Sequence, residues 1–119
     1  MKTIKIYPNE CVKRIIAFIP PKHIHARFII ELEDQVIVLH EAAVANLVRA
    51  YIDIVTHPTR RAVELVHRAI PKSERKPMYA EHQLVELEDS EENIVSRAME
   101  ILEKGVVVCA ESSRSSSSS

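Results

Sequence analysis

The stretch from His23 to Val55, HIHARFIIELEDQVIVLHEAAVANLVRAYIDIV, changes its hydrophobic period midway and so fixes much of what this chain can fold into. In its first part Ile24, Ala26, Phe28, Ile30 and Leu32 alternate with His25, Arg27, Ile29 and Glu31, the period of a strand with one buried face. Glu33-Asp34-Gln35 interrupts the run, and Val36-Ile37-Val38-Leu39 resumes it. A break this short returns the chain antiparallel, which predicts a hairpin. With no glycine at the break, Asp34 is the residue expected to take a positive φ. From Glu41 the apolar residues recur at three- and four-residue steps, predicting a helix of about four turns. Ala42, Ala43, Ala45, Ala50 and Ile52 extend its apolar surface beyond one face. A helix this apolar is either central to a core or covered by a partner, and in a small chain the second is favoured. The expected interface is Val44, Leu47, Val48, Tyr51, Ile52 and Val55, with an Arg49–Asp53 ion pair at its margin.

The rest of the 119 residues reads as one α+β domain over 1–110, followed by a disordered serine-rich tail over 111–119. Thr3 to Tyr7 alternates as a strand. After Asn9 as N-cap, Val12, Ile15, Ile16 and Ile19 fall at helical spacing until Pro20-Pro21, although their β-branched content also suits a strand. Pro58 to Ile70 is expected to form a second helix with Ala62, Val63, Val66, Ala69 and Ile70 inward. Met78 to Leu87 follows as a strand. Asp89 with Glu92 matches a capping box for a helix through Leu102, with Gly105 at C′. Val106 to Cys109 could add an edge strand. The predicted layout is a β-α-β-β-α core with an antiparallel sheet and its helices on one face, plus a C-terminal α-β-α extension.

Composition narrows the setting. With 46% hydrophobic and 28% charged residues and a net charge of -1, the chain has a soluble globular balance and no general attraction for nucleic acid or anionic membrane. No apolar run approaches the roughly 20 residues of a membrane span. MKTIKIYPNE lacks a signal-peptide core, so a cytoplasmic location is expected. Cys11 and Cys109 form no C-x-x-C, and reduced thiols are expected there. One glycine, no tryptophan and abundant Glu, Arg, Ile and Val suit a heat-adapted chain.

Charge is local. Arg60, Arg61, Arg68, Lys72, Arg75 and Lys76 face only Glu64 and Glu74 between Pro58 and Pro77, whereas Met78 to Lys104 is mainly acidic. The basic segment is either a solvated surface or an RNA-phosphate contact; without interleaved aromatics such a contact would be salt-sensitive and weak in sequence preference. His23 and His25 would point the same way on a strand and could share a metal with His40 or His82, but no H-x-x-x-H, H-E-x-x-H or Cys/His cluster supports a site. His40-Glu41 could pair a base with its orienting carboxylate. No nucleophile elbow or glycine-rich phosphate loop is present, so neither catalysis nor a cofactor is expected.

Residues 3 to 57, with TIKIYPNECVKRIIAFIPP, the strand Val36 to Leu39 and the helical segment Val48 to Val55, resemble the small dimerising subunit of KEOPS, the complex that makes threonylcarbamoyladenosine in tRNA. That family shows a β-α-β-β-α layout and an L-R-A-x-x-N-S-like helix. The resemblance implies a non-catalytic subunit, homodimeric or in a hetero-complex, whose helices dock a catalytic partner and help hold tRNA. Asn46 to Arg49, Tyr79 to His82 and the acidic-capped last helix are also similar to the archaeal RNA polymerase assembly subunit L. Both resemblances imply a joining subunit.

Overall fold

The structure, a computed structural model, describes residues 2–109; the serine-rich tail expected over 111–119 lies outside them. The fold is α+β, with antiparallel sheets and two helices. In order it runs β1 (Lys5–Ile6), a 3-10 turn (Asn9–Cys11), β2 (Val12–Phe18), β3 (Arg27–Leu32), β4 (Val36–His40), α1 (Glu41–Thr56), β5 (Leu65–Ala69), a 3-10 turn (Lys72–Glu74), β6 (His82–Glu86), α2 (Glu91–Glu103) and β7 (Val106–Val107). The chain divides into two compact units, one holding residues up to Val44 and from Ala98 onward, the other Ala45–Arg97.

In the first unit, β2, β3 and β4 form an antiparallel sheet in that order, and β1 pairs with β7 in parallel. The helix expected over 9–19 is therefore wrong: after one turn closed by Cys11 N–H on the Pro8 carbonyl (2.9 Å), the segment is strand β2. Its spacing fitted a helix because the strand is apolar on both faces, and such a strand contains the three- and four-residue steps as well. Ile15-Ile16, β-branched and stiff at χ1, settles on the ladder that β3 supplies. A bulge between Val12 and Arg14 resets the register, leaving Ile16 opposite Ile29 and Phe18 opposite Arg27.

The β3–β4 hairpin lies where the alternation put it, closed by Leu32 N–H on the Gln35 carbonyl (2.8 Å). Asp34, however, does not take a positive φ. Its carboxylate accepts from Lys5 Nζ (2.7 Å) and Tyr7 Oη (2.8 Å), while Gln35 Nε2 donates to the same hydroxyl (2.7 Å), so the hairpin tip is tied to the β1 segment.

Positive φ falls instead on Lys22 (69°) and Met78 (76°). Each follows a proline in a tight turn, His23 N–H meeting the Pro20 carbonyl (3.0 Å) and Tyr79 N–H the Lys76 carbonyl (3.1 Å). A side chain in that position costs about 1 kcal/mol. Lys22→Gly is accordingly expected to raise the urea midpoint slightly, where an ordinary Lys→Gly loop change lowers it. The chain's one glycine serves otherwise: Gly105 does not cap α2 with a left-handed turn. A Cβ there would meet Ile6 Cδ1 at 2.6 Å and Ile4 Cγ2 at 3.1 Å, so the missing side chain lets β7 close on β1.

The cysteines are not free thiols. Cys11, fully buried, and Cys109 form a disulfide across a Cα separation of 5.9 Å. Ninety-eight residues apart, they were too distant in sequence to suggest one another; the β1–β7 pairing brings them together.

In the second unit β5 and β6 form an antiparallel ribbon from Leu65↔Glu86 to Ala69↔His82, extended by Leu87 N–H on Glu64 (2.8 Å) and Ile70 N–H on Glu81 (2.7 Å). In place of the helix expected over 58–70, residues 65–69 form strand β5 and residues 58–64 belong to no regular element. Leu65-Val66 is apolar on both sides, and a partner strand outweighs the propensity of so short a segment. The cap of α2 sits one residue later than Asp89: Ser90 Oγ accepts from Asn93 N–H (3.1 Å). Asp89 instead accepts from Ser90 N–H (2.7 Å) and the Asn93 amide (3.0 Å) and pairs with Arg97 (3.0 Å), which also holds Glu64.

Candidate interaction surface

Helix α1 begins directly after β4 because Glu41 finds a partner for each oxygen. Ala26 N–H donates to one at 2.6 Å, and His25 Nδ1 stands 3.3 Å from the other. The imidazole beside Glu41 is thus that of His25, not the sequence neighbour His40 that could have paired with it. Glu41 also favours the helix through its place in the first turn.

Along α1 the two sides are inverted relative to a core helix. Ala43, Asn46, Ala50 and Asp53 are half-buried, while Leu47, Val48, Tyr51, Ile52 and Val55 stand between 49% and 62% exposed. Of the residues expected at an interface, Val44 alone is half-buried. No ion pair joins Arg49 to Asp53 among the described residues. A stripe of this width left in water forgoes roughly 0.8–1.5 kcal/mol for each of these half-covered side chains, about half of what full burial from full exposure is worth.

The three-stranded sheet repeats the pattern. The register places Ile16, Ile29 and Val38 in one row, with Phe18 and Val36 nearby and the Arg14–Glu31 pair (2.9 Å) beside them. Val36 and Val38 are exposed, whereas Ile37 and Leu39 on the opposite side of β4 are half-buried. The sheet is apolar on both faces, which the hairpin alternation alone did not reveal.

Other groups that the sequence singled out are scattered. Arg60 is held by Glu86, Arg68 lies on β5 opposite Gln83, Lys72 sits in a 3-10 turn, and Arg75 and Lys76 follow it; Arg61 offers its backbone N–H to Glu91. Among the described residues no group of three or more His, Cys, Asp or Glu could hold a metal. One pairing escaped sequence reasoning: His67 Nε2 lies 3.0 Å from His82 Nδ1. The ring centroids are 5.1 Å apart with planes at 17°, a separation that the N···N line and the two rings account for, so the rings meet edge to edge. Only the β5–β6 register could have shown it. A depression of about 460 Å³ in the second unit is lined by His57, Arg60, Glu86, Asp89, Glu91 and neighbours, with Arg60 and Asp89 engaged as described.

Three carboxylates are held below the usual carboxylate range. The Lys5 ammonium and then the Tyr7 hydroxyl lower Asp34; Ala26 N–H and then His25 lower Glu41; the Asn93 amide, Ser90 N–H and then Arg97 lower Asp89. Folding favours each ionised form, so the stabilisation is complete above the unfolded values of about 4 and is lost as pH falls through the lower folded ones. Urea midpoints should hold from neutrality to about pH 5 and fall below pH 4. Asp34→Asn with Asp89→Asn should flatten that acid limb; an unchanged limb would place the dependence elsewhere.

No described helix is long and apolar enough to cross a membrane. No family model, curated protein or solved structure matches the chain.

Proposed function

We propose that this protein is a non-catalytic joining subunit, with the outward apolar stripe of α1 as the seat of a partner polypeptide. The observation carrying this reading is the inversion of α1, which turns Asp53 and Asn46 inward and Leu47, Tyr51 and Val55 outward. Water is a poor neighbour for that stripe, and a second apolar surface is a good one. The narrower reading, a dimerising subunit like that of KEOPS serving tRNA modification, rests on the β3–β4 hairpin and α1; β2 is a strand where that layout has a helix. The polymerase-subunit-L reading predicts the same joining role with a different companion. The Cys11–Cys109 disulfide fits a cytoplasmic location only in a heat-adapted chain, because outside hyperthermophiles such links belong to oxidising compartments.

The test is to isolate the tagged chain with its companion from its native cells, produce that companion separately, and titrate the two. Leu47→Glu should weaken the complex by at least about 100-fold, as expected of a central hot spot. Equal affinity for both forms would overturn the reading.

A further inference from the structure

The β5–β6 register brings two metal-ligating side chains together. Ala69 lies opposite His82 and His67 opposite Leu84, so the two histidines are diagonal neighbours on one face of the ribbon. Alternation puts Arg68, opposite Gln83, on the other face. The register is pinned at both ends, by Ile70 N–H on the Glu81 carbonyl (2.7 Å) and Leu87 N–H on the Glu64 carbonyl (2.8 Å). Both histidines are exposed, and Ala69, across from His82, offers only a methyl group, which leaves the imidazoles room to meet.

Nε2 of His67 and Nδ1 of His82 stand 3.0 Å apart. Two neutral imidazoles so placed share one proton, which one nitrogen donates and the other accepts. The same spacing suits a late transition-metal ion. Metal–nitrogen bonds of roughly 2.0–2.1 Å, meeting at angles between about 90° and 109°, hold two ligand nitrogens roughly 2.9–3.4 Å apart. A slight swing of each ring about χ2, a soft torsion, turns the two lone pairs from each other onto a common ion.

We propose that His67 and His82 form a two-histidine clip for a divalent ion of the zinc, nickel and copper class, which replaces the shared proton and fastens β5 to β6. Imidazole nitrogen selects these ions over magnesium and calcium, which take oxygen ligands. The displaced proton moves to the outer nitrogen of its own ring, His67 Nδ1 or His82 Nε2, so a neutral pair takes the ion without net loss of a proton. Among the described residues no His, Cys, Asp or Glu makes the pair a group of three, and water completes the coordination. Two ligands suffice for a clip because the strand pairing has already set them side by side, which lowers the cost of binding. The site lies on β5 and β6, away from the stripe of α1, and goes beyond the joining role.

Titration of the full chain with zinc chloride, followed by calorimetry, should show one ion per chain, and magnesium should give no binding heat. His67→Gln and His82→Gln should each weaken zinc binding by about 100-fold, the gain expected when two tethered ligands act on one ion. His23→Gln, in the other unit, should leave it unchanged. Copper(II) on the unaltered chain gives a reading that does not depend on how the variants fold: its electron paramagnetic resonance should show coupling to two imidazole nitrogens. Equal zinc affinity of His67→Gln and the unaltered chain overturns the inference, as does copper coupled to a single nitrogen; the pair is then a hydrogen bond and nothing more. Leu47→Glu should leave zinc affinity unchanged, so the clip and the joining role stand or fall separately.

Discussion

Replacing Cys11 and Cys109 together by serine should lower the stability of the chain by about 4–5 kcal/mol, read as a fall in the urea midpoint with a steeper slope, because the unlinked denatured chain exposes more surface. The link closes a loop of 98 residues, and chain-entropy arguments give nearly the largest stabilisation available to a single disulfide for a loop of that length. Little else compensates. Among the described residues only Cys11, Leu32 and Cys109 are buried apolar side chains, so the disulfide lies at the centre of what core the first unit has. β1 and β7 pair over two residues each, too short a ladder to hold the two ends of the chain by itself. The double variant should therefore lose protection of the Val106 and Val108 amides, which donate to Ile4 and Ile6, before the β2–β3–β4 sheet opens. Amide exchange read by residue checks this order. Uniform loss of protection would mean the link supports the whole unit rather than its closure.

Hydrophobic period made the hairpin and the two helices legible, because the alternation in β3 and the three- and four-residue steps in the helices each run unbroken over enough residues to exclude the other period. It failed at β2 and β5. Both are apolar on two sides, so a helical spacing can be picked out of them, and only a partner strand decides the matter. The disulfide and the His67–His82 contact were invisible for a related reason: each depends on which strands become neighbours. Asp34, Asp89 and Gly105 were marked correctly as special and given the wrong task, since a carboxylate that could cap or turn was taken by a cation or a hydroxyl from elsewhere in the chain. The excess of apolar surface on residues 42 to 55 was readable from spacing; its direction was not, and the half-buried Asn46 and Asp53 supply it.

The second large effect separates folding from joining. Leu47→Glu with Tyr51→Glu should leave the urea midpoint of the free chain nearly unchanged, within about 0.5 kcal/mol, because substitutions at exposed positions seldom cost more. Both side chains are 62% exposed, so most of their surface meets water in the free chain. The same pair should abolish binding of the companion, since two carboxylates would have to be stripped of water in an apolar contact. A core helix would respond in the opposite way, with a collapse of stability. Unfolding curves and a binding titration on one preparation distinguish the two.

The size at which the chain travels in extract of its native cells is the most direct test, measured by gel filtration with immunodetection. The account predicts a particle well beyond the free 13.5 kDa chain, reduced to the size of the isolated protein when Leu47 and Tyr51 are glutamate. Migration as a free single chain, identical with and without the two glutamates, would contradict it.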